Sequence, residues 1–168
     1  MIEWYRPVDA STVATATQKA TACMLTYAKE DLALGPLCLA WFSASPTPLT
    51  LDEWLNPILR DLNTHEVEGE RTGCVRASDP TTVWCRADLT PRQAARTVAH
   101  EVRHAWHFTQ EAWKSPAPDY GDADRTIARH HEWRTSRERD SDAYADSQEA
   151  IIEAVALSVT SDAGGDGR

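Results

Sequence analysis

Several things this 168-residue chain lacks narrow its function before any motif is considered. No stretch approaches the ~20 consecutive apolar residues that a membrane span needs. The opening "MIEWYRPVDAS" has no basic segment ahead of an apolar run. The expectation is a soluble, cytoplasmic protein. Positive charge is scarce: 17 Lys and Arg stand against 26 Asp and Glu, a formal net charge of -9. Such a surface does not neutralise phosphates or settle on anionic lipid, so neither nucleic acid nor membrane is the expected partner. Four cysteines are too few and too scattered for a disulfide framework, and no two have the C-x-x-C spacing of a zinc ribbon or thioredoxin-like site. Phe occurs only twice while Trp occurs seven times, and large aromatics in a chain of this length are expected in the core. No internal repeat is visible. The length and a 42% hydrophobic content support one domain, expected over residues 1–159 with its motif core at 72–150, and a disordered tail at 160–168.

Turn and cap residues divide what is there. "DASTVATATQKATACMLTYAKEDLALG" repeats Val13, Ala16, Ala20, Met24 and Tyr27 at helical spacing, with Asp9 or Ser11 as cap and Gly35 as terminator. "GPLCLAWFSAS" is a short apolar run between Gly-Pro and Ser-Pro, which suits a buried strand. "TLDEWLNPILRDLNTHE" carries a Thr50-x-x-Glu53 capping box, and Pro57 should kink or split it. Residues 72–87 predict a hairpin about Asp79-Pro80. A symmetric turn there would set Cys74 opposite Cys85, where a disulfide is geometrically conceivable and two packed thiols are the expectation in a reducing cytosol. "KSPAPDYGDAD" reads as a loop. A last helix is expected to start near Thr135 or Ser136, with Thr135-x-x-Glu138 as its capping box.

The most informative stretch is "LTPRQAARTVAHEVRHAWHFTQEAW". Thr90 as N-cap, Pro91 at the first helical position and Gln93 completing a capping box make it a secure helix. His100 and His104 then lie one turn apart and can offer both imidazoles to one ion about 2.0–2.1 Å from each nitrogen. Glu101 projects about 100° away, beside the metal, where a carboxylate can take a proton from a zinc-bound water. This is the H-E-x-x-H arrangement. Ala94, Val98, Val102 and Ala105 share one side of the helix; His100, His104, His107 and Glu111 share nearly the opposite side; Arg92, Arg96, Arg103 and Gln110 form a third stripe expected to meet water. His107 lies about 10 Å along the axis from His100, too far to bind the same ion, and is expected to pack or to support the site from behind.

The third ligand must come from elsewhere, and His130, His131, Glu132, Glu138, Asp140 and Asp142 are the candidates. In "ERDSDAYA", Glu138 and Asp142 stand four apart on one helical face. Glu138 could complete two histidines and a carboxylate around Zn²⁺ with an open water position. Asp142 could hydrogen-bond the free nitrogen of a ligating histidine.

H-E-x-x-H followed, after 33 intervening residues, by E-x-x-x-D-A-Y-A resembles the gluzincin branch of the zincin metallopeptidases, including the small bacterial and phage ImmA/IrrE-type peptidases. The resemblance covers roughly residues 72–150. It implies an α+β, zincin-like minimal domain with a small antiparallel sheet, the motif helix and a C-terminal ligand helix. It also implies Glu138 as third ligand and Asp142 as the acidic residue four further on. Two positions depart from the pattern: Arg103, where an uncharged residue is preferred, and Ser141, where Ala is common. Such folds place an antiparallel edge strand above the motif helix to receive an extended peptide, and "TTVWCRAD", residues 81–88, is the natural candidate. Tyr120, His130 and His131 are candidates for stabilising the oxyanion.

The expected function is therefore zinc-dependent peptide-bond hydrolysis, with His100, His104 and Glu138 as ligands, Glu101 as base and a protein or peptide as substrate. Two other readings remain: a zincin-shaped protein-binding module with a structural metal and no turnover, and a metal-free interaction or toxin-like protein.

Overall fold

Elements begin and end where caps and turns interrupt the apolar patterns. This computed structural model describes residues 3–63 and 71–162. Strand β1 (Trp4–Val8) precedes helix α1 (Thr15–Asp31), strand β2 (Cys38–Ser45) and the short helices α2 (Leu51–Leu55) and α3 (Pro57–Asn63). Strands β3 (Gly73–Arg76) and β4 (Asp79–Arg86) follow, then helices α4 (Pro91–Thr109), α5 (Ala123–Ser147) and α6 (Glu149–Asp162). The fold is α+β. No described helix is long and apolar enough to cross a membrane.

The four strands form one sheet in the order β1-β2-β4-β3. β1 pairs antiparallel with β2, and β3 with β4, but β2 and β4 run parallel. The sheet is thus mixed where an antiparallel one was expected. The intervening α2, α3 and β3 supply the crossover that a parallel neighbour requires. Alternation along the central strands sends Trp41, Val83 and Cys85 to one face and Phe42 and Trp84 to the other. On the first face they meet Ala94, Val98 and Val102 of α4, with Met24 and Ala28 of α1 and Ile152 of α6. Val98 and Val102 are fully buried, each contributing roughly 1.5–3 kcal/mol of apolar burial. On the second face Phe42 and Trp84 cluster with Tyr5 and Leu62.

The hairpin turns at Ala77-Ser78 and not at Asp79-Pro80, and an irregularity between Val75 and Arg76 shifts the register. Cys74 consequently faces Trp84, while Gly73 faces Cys85. A one-residue slip carries a side chain to the opposite face, so the two thiols are separated by the sheet. All four cysteines are free.

Two helix boundaries also differ from expectation. α1 ends with Ala33 at φ 52°, a left-handed position expected of a glycine; Gly35 lies two residues further on. α5 starts at Ala123, where the Asp122 side chain accepts from the Arg125 amide at 2.9 Å, so Thr135-x-x-Glu138 lies within the helix and caps nothing. Its first half is tied down by the Trp133 indole, which donates to the Trp113 carbonyl at 2.9 Å. The helical stretch breaks at Gln148 and α6 runs on through Asp162, beyond the expected start of the tail; residues 163–168 lie outside the described residues.

The arginine stripe of α4 forms a seam with the C-terminal helices. Arg92 pairs with Glu149 and with Glu153 at 2.7 Å, Arg96 with Asp146 at 2.7 Å, and Arg103 with Asp140 at 2.6 Å. These pairs set α5 and α6 against α4.

Candidate metal centre

Thr90 and Gln93 cap α4 reciprocally, with Pro91 in the first turn. One turn of this helix then stacks His100 and His104, whose Nε2 atoms are 3.0 Å apart. From α5, Glu138 brings Oε2 to 3.3 Å from His100 Nε2 and Oε1 to 3.4 Å from His104 Nε2. The three donor atoms lie within 4.8 Å of one another. Ligands bound tetrahedrally at 2.0–2.1 Å stand about 3.3 Å apart, so these separations suit a single zinc-sized cation. Three lone-pair-bearing atoms aimed at one another also repel unless a cation or a proton lies between them.

The far side of each imidazole is held as well. His100 Nδ1 lies 3.0 Å from Asp142 Oδ1, and His104 Nδ1 lies 3.2 Å from Ser141 Oγ, on a residue with no exposure. A carboxylate only accepts, so Asp142 draws the proton of a neutral ring to Nδ1 and turns the Nε2 lone pair toward Glu138. Ser141, one of the departures from the resemblance, thus gives the second histidine a polar support that Ala could not.

Burial acts against charge at His100, but the carboxylates of Glu138, Glu101 and Asp142 outweigh it and raise its pKa. Burial likewise opposes the charge on Glu138, yet its hydrogen bonds to both histidines hold it well below the usual carboxylate range. Glu101 behaves differently. Burial pushes its pKa up, and the two histidines only partly offset this. A raised carboxylate pKa is what a general base needs to hold and release a proton near neutral pH.

A cleft of about 400 Å³ opens over these groups, bordered by Gly73, Cys74 and Val75 on one side and by Phe108, Trp133 and Arg137 on another. The bordering strand is β3, the sheet's edge; β4, which contains the expected 81–88 segment, is enclosed between β2 and β3 and has no free edge. The distinction was hidden in the sequence because β3 is the shorter arm of the hairpin, four residues against eight in β4. Gly73 has a specific role here. A Cβ at this position would lie 2.5 Å from Thr97 Cγ2 and 2.7 Å from Glu101 Cγ, so the missing side chain lets the strand close over Glu101.

Other candidates separate clearly. His107 is 1% exposed, with Nε2 2.8 Å from Asp140 Oδ2 and its ring 4.3 Å from that of Trp113, centroid to centroid. Asp140 is shared with Arg103, whose guanidinium lies 3.8 Å over the Trp106 ring. The charged residue within the motif thereby fastens α4 to α5. His130 lines the cleft; His131 is exposed outside it, Glu132 borders a separate groove and Tyr120 is 96% exposed. Gly73 and Arg137 were not singled out from the sequence, and Ser141 stood out only as a departure from the pattern. Comparison of the chain with protein-family models, with curated proteins and with solved structures found no match.

Proposed function

We propose that the chain is a zinc-dependent peptidase working in the cytoplasm, with a fold of the zincin type resembling the small ImmA/IrrE-like gluzincins. The observation that carries this reading is the convergence of His100, His104 and Glu138 at a cleft that also holds the buried Glu101 and is bordered by an edge strand. When bound, zinc would polarise the scissile carbonyl and acidify the attacking water. Glu101 accepts the proton released as the water oxygen bonds to the carbonyl carbon, then passes it to the amine as the C–N bond breaks. Edge strand β3 holds an extended peptide by main-chain hydrogen bonds, which leaves the peptide's alternate side chains facing the cleft. The four free thiols suit a reducing compartment.

The test compares metal content and peptide cleavage in wild type, Glu101→Gln, His104→Ala and Glu138→Ala. Expected are one zinc per chain in the first two, loss of zinc in the last two, and turnover in wild type alone. Full activity in Glu101→Gln would remove the proposed base. Stoichiometric zinc in a wild type that cleaves no peptide would instead assign the metal to a binding module.

A further inference from the structure

We infer that the cleft recognises a carboxylate on its peptide, either an acidic side chain or a free C-terminus, through the guanidinium of Arg137. This rests on the metal-site reading for its setting, and names the substrate class for that site.

The placement of Arg137 is the first reason. It precedes the ligand Glu138 on α5 and lines the same cleft as His100, Glu101 and His104. Its guanidinium lies 4.5 Å from the Phe108 ring centroid and 4.9 Å from that of Trp133, and both rings line the cleft. Stacking against two rings fixes the orientation of a side chain that would otherwise lose much rotamer freedom on binding a ligand.

Its bonding is the second reason. Arg6, Arg76, Arg86, Arg92, Arg96 and Arg103 each hold a carboxylate of this chain. Arg137 Nε is buried and has no hydrogen-bond partner among the described residues. A buried donor left without an acceptor is costly, and a planar fork of donors matches a carboxylate. In an acidic protein, a stacked cation beside the candidate centre, with an Nε that has no acceptor among the described residues, is placed to receive one from a ligand.

Charge is the third reason. Among the described residues lining the cleft, Glu101 and Glu138 are acidic, and Arg71, Arg134 and Arg137 are basic. With a divalent cation bound, these two carboxylates would balance it, and the lining stays positive, with Arg137 the arginine stacked between Phe108 and Trp133. A neutral peptide would leave the guanidinium unmatched, so the geometry selects for an anion.

The experiment uses full-length zinc-loaded Glu101→Gln, in which binding is read without turnover. Three fluorescein-labelled peptides of one sequence are titrated by anisotropy: neutral with an amidated C-terminus, the same with one internal Asp or Glu, and neutral with a free C-terminus. At least one carboxylate peptide should bind about ten- to a hundredfold more tightly than the neutral one, the scale of a charged hydrogen-bonded pair. Which arm gains identifies the side chain or the terminus as the source. Adding Arg137→Gln should bring that ratio close to one, and Arg137→Lys should recover only part of it, because a point charge lacks the fork. Thermal melts with zinc ensure that both variants are compared as folded proteins. No preference in the starting protein, or a preference that survives Arg137→Gln and so belongs to the metal, would overturn the inference. An equal loss on all three peptides would do the same. Wild-type cleavage of the three peptides separates the two readings: carboxylate-selective binding without any cleavage sinks the peptidase and keeps the anion site, whereas cleavage without discrimination does the reverse.

Discussion

Asp142 Oδ1 lies 3.0 Å from His100 Nδ1, on the side of the ring opposite the nitrogen that faces Glu138. In the proposed zinc site the carboxylate would act on the metal through the histidine, by fixing its tautomer and raising its basicity. Asp142→Ala should weaken zinc binding by about ten- to a hundredfold. Asp142→Asn keeps an accepting oxygen and should lose less. Competition against a chromophoric chelator measures both, and an unchanged affinity in Asp142→Ala would show that His100 is oriented by packing alone.

Gly73 and Glu101 are in closer contact than any side chain at 73 would allow, since a Cβ there would stand only 2.7 Å from Glu101 Cγ and 2.5 Å from Thr97 Cγ2. Gly73→Ala must separate β3 from α4 or displace Glu101. Its expected cost is about 1–3 kcal/mol of stability, in the range of overpacked sites. Peptide cleavage should fall further than zinc content, because the base moves while the ligands on α4 and α5 stay. Denaturant unfolding with parallel metal analysis would reveal the split, and a variant equal to wild type in both would show that the strand relaxes freely.

How much of this was legible beforehand depended on whether the signal was local. The motif helix was, because Thr90, Pro91 and Gln93 state its start in adjacent residues and Ala94, Val98 and Val102 state its buried side. The pairing of β4 with β2 was not, since it joins Cys38 to Thr82 across more than forty positions of sequence. The start of α5 misled for a different reason. Residues 123–134 carry no apolar stripe, and Thr135-x-x-Glu138 has the residues of a capping box inside a continuing helix. Glu138 could still be singled out because the spacing from Glu138 to Asp142 survives wherever the helix begins. Arg137 carried no local signal, being one of several arginines around "EWRTSRERD"; only the placement of Phe108 and Trp133 distinguishes it.

Removing the metal should cost stability as well as activity. A cation bound only by the folded chain adds about 2.7 kcal/mol when free ligand stands a hundredfold above its dissociation constant. For a domain of this size, that corresponds to a melting temperature lower by roughly 5–10 °C in chelator. His104→Ala and Glu138→Ala should melt at the same temperature with and without zinc. A wild type indifferent to chelator would argue that the donor cluster holds a proton and not a metal.

The last prediction concerns His107, which the site does not use as a ligand. Its ring is 1% exposed, its Nε2 faces Asp140 at 2.8 Å, and its Nδ1 is buried with no partner among the described residues. Protonating a neutral ring whose Nε2–H donates to Asp140 puts the new proton on the buried Nδ1, which has no acceptor. Burial accordingly pulls the pKa down to about 4, against 6.5 for an unburied imidazole. Between those values the unfolded chain binds a proton that the folded chain refuses. Stability from this residue is fully present above pH 6.5 and is lost as the pH falls toward 4. The full loss is about 3 kcal/mol, from 1.36 kcal/mol per pKa unit. Zinc-free protein should be used, so that metal release adds nothing to the slope. Urea unfolding at pH 7 and at pH 4 should show wild type losing about 3 kcal/mol more than His107→Gln, which has no ring to protonate. Asp140 adds its own loss on acidification, because Arg103 and His107 outweigh burial and hold its pKa below the usual carboxylate value, and that part should persist largely in the variant through Arg103. Parallel pH profiles for the two proteins would mean that the folded chain accepts the proton on His107 in place, through a rearrangement that gives Nδ1 a partner.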